Sequence, residues 1–403
     1  MNDPADSTLK IPHGGLYVHI PYCLSKCNYC DFVSVPVDTH LPQYLEEVSQ
    51  EIELRSNDFS YMSVDSIFFG GGTPSLLSLP QIESILTRLY SHYAIETDCE
   101  ITIEANPDTV NKEMLSGLRS LGINRISIGV QSLQDDVLQS IQRRHTAQQA
   151  INAIVWAHEV GFTSINCDFI IGLPKETDQS IYEQCQHIKN LPITHLSTYF
   201  LTLSRKTPIL KKIRSKKLSI PTEKTTLKHW NTMVNTFTTL GFHHYEISNF
   251  AKPSFQCRHN LHYWNLDSWA AFGLSATGYC NPISAKKKPY RYTNFSSFLQ
   301  YSGALALHKV PTGKNEKCTD KQIHFEKNML LFRLLDKGIH LSRIPLENRN
   351  NLQYFYKKGW IRFQYEHPFQ KEEEGIIHHC PTVVLTEKGV VLSNEIIVRL
   401  LQD

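Results

Sequence analysis

Cys23, Cys27 and Cys30 sit close together in the run Pro21-Tyr22-Cys23-Leu24-Ser25-Lys26-Cys27-Asn28-Tyr29-Cys30-Asp31-Phe32. Spacings this short let one loop wrap three thiolates around a compact metal centre, and all-sulfur ligation suits zinc or iron–sulfur chemistry. Three ligands leave one coordination place open. A structural zinc ion would draw a fourth ligand from His19 or His13, whereas a four-iron cluster would offer its last iron to a small-molecule chelator. On spacing alone both readings stand, beside a third in which the thiols bind nothing. Cys99, Cys167, Cys185, Cys257, Cys280, Cys318 and Cys380 are scattered singly and read as small buried hydrophobes.

A second group of polar residues follows in order. Gly70-Gly71-Gly72-Thr73-Pro74-Ser75 lacks side chains where a backbone could approach a ligand and offer its polar groups. Glu104 closes an apolar run in IEANP, Gln131 follows another in GVQS, and Asp168 lies in DFIIGLP. Arg143 comes after Gln131, where a returning helix brings a guanidinium towards a carboxylate. Such residues at successive strand ends can cradle an amino acid and a ribose. Taken singly, each is equally a cap, an internal ion pair or a loop hydrogen bond.

These residues need elements to position them. Six apolar or β-branched runs recur, LYVHI (16–20), DSIFFG (65–70), EITIE (100–104), RISIGV (125–130), INCDFI (165–170) and HLSTYF (195–200), and each is followed by a helix-compatible stretch. Leu41 to Phe59, Leu79 to Tyr93, Asn111 to Leu121, Thr146 to Gly161 and Thr177 to Asn190 have lengths suited to right-handed crossovers. The pattern predicts an α/β fold, a partial (β/α)6 TIM-like barrel, with its chemistry beyond the carboxyl ends of the strands. Expected boundaries are an N-terminal tail over 1–15, the barrel over 16–242, an aromatic-rich extension over 243–304, and a small mainly helical domain over 305–403. Within that last domain, Ile323 to Leu335 and Asn351 to Lys358 read as helices. VVLTEKGVVLS (383–393) reads as a strand, a turn and a further strand or helix, so a hairpin wing is expected there.

At 403 residues, with 41% hydrophobic and 20% charged residues, the chain has the composition of a large globular protein. Forty-one basic against 39 acidic residues give no overall signature for nucleic acid. No apolar run is long enough to span a bilayer, and residues 1–15 lack the apolar stretch of a secretory signal, so a reducing cytoplasm is expected. Residues 205–217 hold seven Lys and Arg without an acid. They read as a solvated basic loop, with contact to an acidic partner as the alternative. Lys286 to Lys288 read the same way.

CLSKCNYC resembles the C-x3-C-x2-C signature of radical S-adenosylmethionine enzymes. That resemblance implies a [4Fe-4S] cluster held by Cys23, Cys27 and Cys30, with S-adenosylmethionine on the open iron and an outside electron donor. The electron cleaves the sulfonium bond to a 5'-deoxyadenosyl radical. YVHIPYCLSKCNYCDF, GGGTPS, IEANP, RISIGVQS, DFIIGLP and YEISNFAKPSFQCRHNLHYW, with LTEKG near 385, are similar to the coproporphyrinogen III oxidase-like branch of that family. The resemblance implies cofactor contacts at Tyr17, Gly71, Gly72, Thr73, Glu104, Gln131, Arg143, Asp168 and Ile170. Read from the residues alone, Tyr17 is equally an aromatic wall and Ile170 is core.

The branch divides into porphyrinogen dehydrogenases and haem chaperones. The dehydrogenases carry a further cysteine where this chain has Phe32. The tract Cys257-Arg258-His259-Asn260-Leu261-His262-Tyr263-Trp264 resembles the haem-binding region of the chaperones, and histidine ligates haem iron while aromatic faces suit a macrocycle. The resemblance implies a haem carrier with His259, Cys257, Tyr263 and Trp264 as haem candidates and His262 behind them. Haem would pass to a membrane-associated apo-haemoprotein, at the inner face of the membrane, and a homodimer stays open. The competing reading is an oxygen-independent coproporphyrinogen III dehydrogenase.

Overall fold

In a computed structural model, residues 11–37, 40–282, 288–364 and 381–402 are described. Residues 1–10 of the expected tail, Lys286, Lys287 and Cys380 lie outside them. The six expected strands all form: β1 (His13–Ile20), β2 (Ser63–Gly71), β3 (Ile95–Ala105), β4 (Arg125–Gln131), β5 (Ser164–Ile171) and β6 (His195–Phe200). They lie parallel and side by side in chain order.

Four of the crossover helices carry side-chain caps at their starts. Asn111, Thr146 and Thr177 cap Lys112–Ser120, Ala147–Glu159 and Asp178–Lys189 by accepting a backbone N–H from the first turn. The helix Leu79–His92 carries Pro80 in its first turn and a capping box from Ser78 to Gln81.

Strand alternation separates two faces. Leu16, Val18, Ile67, Phe69, Ile101, Ile103, Ile126, Ile128, Ile165, Cys167 and Phe169 are fully or nearly fully buried and belong to one hydrophobic core. Each such side chain contributes about 1.5–3 kcal/mol by leaving water. The opposite positions carry Tyr17 and His19, Ser66, Glu100 and Glu104, Arg125 and Ser127, Asn166 and Asp168, and His195 and Ser197. Register sets them in tiers, with Ser66 opposite Glu100, Glu104 opposite Ser127, Asn166 opposite His195 and Asp168 opposite Ser197. The concave face is therefore polar.

The aromatic-rich region, together with residues 312–317 from beyond its expected end at 304, continues the same sheet. β7 (His243–His244) and β8 (Asn249–Ala251) extend it beyond β6, both antiparallel to their neighbours. At the other edge β9 (Ser268–Phe272) pairs parallel with β1, a seventh parallel strand not expected from the sequence. β10 (Thr277–Cys280), β11 (Tyr290–Asn294) and β12 (Thr312–Lys317) follow antiparallel. The order is β12-β11-β10-β9-β1-β2-β3-β4-β5-β6-β8-β7, and among the described residues the two edges do not pair, so the barrel is partial.

A buried ion pair fastens this extension to the first crossover helix, Leu41–Arg55. Glu51 accepts from Arg55 Nε at 2.7 Å, Asn294 Nδ2 at 2.7 Å, the Tyr301 hydroxyl at 2.7 Å and the Gly273 N–H at 2.8 Å. Arg55 also donates to Asn294 and Thr312 and lies 3.8 Å from the Tyr292 ring centroid.

The C-terminal region is mainly helical, with Asp320–Leu331, Arg349–Lys358, Glu387–Val390 and Ser393–Leu401 around a small sheet. β13 (Ile339–His340), β14 (Ile361–Gln364) and β15 (Thr382–Leu385) form that sheet; β14 pairs antiparallel with β15, so the strand partner of 383–385 precedes it in the chain rather than following it within 383–393. The stretch after β15 is helical, the second of the two outcomes expected there.

Candidate functional site

β1 delivers the chain directly into the cysteine loop, and the loop is pinned from several directions. Tyr22–Cys23 forms a short parallel bridge with Val35–Pro36. Val35 N–H donates to Pro21 O at 2.8 Å, Asn28 Nδ2 to Ser140 O at 3.1 Å, and Ile209 N–H to Asn28 O at 2.9 Å. Below the loop, Tyr29 packs with Val137, Ile141, Ile170, Leu173, Ile209 and Ile213. Ile170 thus stands in this apolar cluster.

The three cysteines are half-buried and unpaired. Burial pushes the Cys30 thiol up; a backbone hydrogen bond at Phe32 draws it back and nearby Cys27 and Cys23 add to the rise. A chain of side chains joins two of the sulfurs. Thr73 Oγ1 lies 3.6 Å from Cys23 Sγ, Asn106 Nδ2 donates to Thr73 Oγ1 at 3.0 Å, and Arg143 Nη2 donates to Asn106 Oδ1 at 2.7 Å. The other terminal nitrogen, Arg143 Nη1, lies 3.7 Å from Cys27 Sγ.

The glycine triplet makes this approach feasible. Gly71 has φ +116°, and a Cβ there would meet the His19 ring at 2.6 Å. A Cβ on Gly72 would stand 2.6 Å from Tyr22 O and 3.0 Å from Cys23 Sγ. Among the described residues no three His, Cys, Asp or Glu close on one point as a single ion would require. A multi-iron cluster takes its sulfurs at separate corners rather than at one point, and the three thiols are free, half-buried and carried on one pinned loop.

Facing the loop, Glu104 Oε2 accepts the Gly71 N–H at 3.0 Å. Burial raises its carboxyl from 4.5 to about 7, and Asp168 reinforces the rise while the Gly71 and Arg125 contacts oppose it. Asp168 is likewise raised by burial, against hydrogen bonds from Ser197, Asn166 and Ser127. Two half-buried carboxyls raised in this way favour a cationic ligand, since a positive charge restores the ionised form. Gln131 ends β4 with φ +64°, placing it at the mouth. Tyr17 donates or accepts at His19 Nδ1 over 3.0 Å, and burial lowers the His19 imidazole to about 4.

From Asp168 a directed chain runs into the barrel. Asn166 Nδ2 donates to Asp168 Oδ1 at 2.8 Å, and Asn166 Oδ1 faces His195 Nδ1 at 2.6 Å. An amide oxygen only accepts, so His195 carries its proton on Nδ1 and Tyr245 donates to Nε2 at 2.9 Å. Tyr245 in turn accepts from the Cys257 N–H at 3.3 Å. Every donor points towards the carboxylate. Asn166, His195 and Tyr245 were not singled out from the sequence; inward parity with Asp168 on neighbouring strands could have flagged the first two.

The helix Arg258–Asn265 enters the same interior. His259 is fully buried, with Nδ1 3.0 Å from Ser66 Oγ and Nε2 2.8 Å from the Tyr263 hydroxyl. Its ring stacks on Phe68 at 5.3 Å and lies 6.2 Å from Tyr17. Cys257 is fully buried, its Sγ 3.5 Å from Glu100 Oε1, and burial lifts its thiol to about 12. Tyr263 meets Trp269 edge-on at 4.8 Å, and Trp264 stacks under the Arg333 guanidinium at 5.2 Å. The structure therefore brings His259, Cys257 and Tyr263 against the cradle and turns Trp264 towards the C-terminal region. His262 is clamped by Asp65 at 2.6 Å and Asp267 at 3.1 Å; these carboxylates overcome burial and raise it to about 9.

Comparison with known proteins shows the family and the fold. Residues 17–188 match the Radical SAM superfamily. The chain is 32% identical over 394 residues to the haem chaperone HemW of Haemophilus influenzae, covering 96% of this chain and 98% of that one. With HemW of Escherichia coli it shares 35% over 333 residues, covering 81% and 84%. The solved structure of coproporphyrinogen III oxidase (HemN) from Escherichia coli has a TM-score of 0.78 and 22% identity, covering 97% of this chain and 90% of that one. That likeness establishes a shared fold. On the sequence relationships, this chain belongs to the radical S-adenosylmethionine superfamily and, within it, to the HemW haem-chaperone family.

Proposed function

We propose that this chain is a haem carrier that holds a [4Fe-4S] cluster on Cys23, Cys27 and Cys30 and S-adenosylmethionine in the cradle opposite. Membership of the superfamily implies the cluster and the sulfonium cofactor. The observation that carries the site assignment is geometric: Glu104 holds the Gly71 N–H, the next residue, Gly72, lies against Cys23 of the thiolate loop, and the half-buried Asp168 carboxyl stands near Glu104. The cluster, when bound, supplies a single electron and an open iron site. Glu104 and Asp168 bind the cofactor's positive charge, Gly71, Gly72 and Thr73 let its backbone neighbours approach, and Arg143 and Gln131 close the mouth. Tyr17 and Ile170 wall the cradle.

Haem carriage is supported by the relationship to HemW over nearly the whole chain. Phe32 at the place of the dehydrogenases' further cysteine favours it over porphyrinogen decarboxylation. In this reading haem is received at the helix Arg258–Asn265 and passed to an apo-haemoprotein at the cytoplasmic face of a membrane. Among the described residues no helix is long and apolar enough to cross one. Because both His259 ring nitrogens are engaged, ligation by His259 requires its bonds to Ser66 and Tyr263 to break and the helix to move outward.

Anaerobic reconstitution tests the site, then the cargo. Wild-type protein should hold iron and acid-labile sulfide that Cys27→Ala loses, and haem affinity should fall in His259→Ala. Zinc without iron would reject the cluster; unchanged haem stoichiometry and affinity in His259→Ala would remove that residue from the haem site. Incubation with S-adenosylmethionine, reductant and coproporphyrinogen III should leave the porphyrinogen intact, and loss of two carboxyl groups by mass would reverse the carrier assignment.

A further inference from the structure

The basic segment is not a plain loop. Residues Pro208–Arg214 form a short helix whose Ile209 and Ile213 point into the cluster around Tyr29, and Ile209 N–H holds Asn28 O of the cysteine loop. Arg205, Lys206, Lys211, Arg214, Lys216 and Lys217 are exposed, and Lys212 is half-buried. None of these seven takes part in an ion pair among the described residues. Taking the seven from the chain's 41 basic residues leaves 34 against 39 acidic ones, so the positive charge is concentrated here on an otherwise acidic protein. The adjoining loop exposes Leu24, Phe32 and Val33, with Phe32 72% exposed.

We propose that this basic helix and the exposed rim of the cysteine loop form the docking surface for an acidic one-electron carrier protein. The inference rests on the assignment of the cluster to Cys23, Cys27 and Cys30. The electron must come from outside the chain, and the carrier that gives it is oxidised by one electron as the cluster is reduced by one. Small apolar contacts inside a ring of charge suit a short-lived redox encounter, where complementary charge raises the association rate. An anionic bilayer is the other surface that seven cations could meet. The helix has its isoleucines turned inward, so it is no amphipathic lipid-binding helix, and the exposed apolar residues Leu24, Phe32 and Val33 sit on the short cysteine loop, a patch of the size a brief protein encounter uses.

The test uses the full chain with reconstituted cluster and a purified acidic flavodoxin as probe. Iron content is read first, so that failure of the cluster assignment is separated from failure of docking. In the quadruple variant Lys211→Glu, Arg214→Glu, Lys216→Glu and Lys217→Glu, flavodoxin affinity should fall at least tenfold and lose its salt dependence. Stopped-flow cluster bleaching by reduced flavodoxin should slow in proportion. Bleaching by dithionite, which needs no docking, and S-adenosylmethionine affinity should match wild type, which also shows that the variant is folded. Unchanged flavodoxin binding and bleaching would overturn the proposal. So would flavodoxin binding that ignores the charges while wild type, but not the variant, sediments with phosphatidylglycerol vesicles.

Discussion

Glu104 combines two demands that pull apart. With its carboxyl at about 7 in the folded chain against an ordinary 4.5, the folded state keeps a proton that the unfolded chain releases. Stability of the ligand-free protein therefore declines as pH rises from about 4.5 to 7, and the full penalty stands above 7. Glu104→Gln should escape it, so its thermal midpoint should gain on wild type between pH 5 and pH 8. The same substitution should weaken S-adenosylmethionine by about tenfold or more at pH 8, since a charged hydrogen-bond partner is lost. Calorimetric titration and thermal melts across pH check both directions. Equal affinity would remove Glu104 from the cradle. His262 shifts stability in the same direction, but from a favourable contribution rather than a penalty: its stabilisation is complete below 6.5 and is lost as pH rises through about 9.

At the scale of elements, the chain from Cys257 to Asp168 couples β5, β6 and the segment before β8 to the helix carrying His259. Asn166→Ala removes the amide that donates to Asp168 and accepts from His195 and Ser197. Leaving those buried groups unpaired costs about 1–3 kcal/mol each. A loss of unfolding free energy of that size, read by denaturant titration, should accompany weaker S-adenosylmethionine binding. A variant with normal cofactor affinity would show that Asp168 holds its place without the chain.

The six strands and their crossover helices were legible because apolar alternation and caps at Asn111, Thr146 and Thr177 are local signals. β9 was not: SWAAF is buried at every position, so no alternation marks it, and its pairing with β1 links residues far apart in sequence. The cysteine loop and the cradle carboxylates were readable from residue type and family pattern. Asn106, Asn166, His195 and Tyr245 were not, because their roles exist only once neighbouring strands are in register.

For the whole molecule, the Glu51–Arg55 pair is where the extension is tied to the barrel. Glu51→Gln leaves a buried guanidinium without its counter-charge and should cost about 3–5 kcal/mol. Replacing both residues, Glu51→Leu with Arg55→Met, should cost less than the single change because no lone charge remains. Chemical denaturation at low and high salt checks this. A small loss in Glu51→Gln, or one abolished by salt, would place the pair outside the barrel's support.

The anchoring of the cysteine loop also sets a timetable for manufacture. Its shape depends on Ser140 and Ile209, which leave the ribosome long after Cys30. At synthesis speeds of about 5–20 residues per second, roughly ten to forty seconds separate synthesis of the motif from arrival of its last brace. Iron delivered during that interval meets a floppy peptide, so metal loading belongs after release of at least the barrel half of the newborn chain.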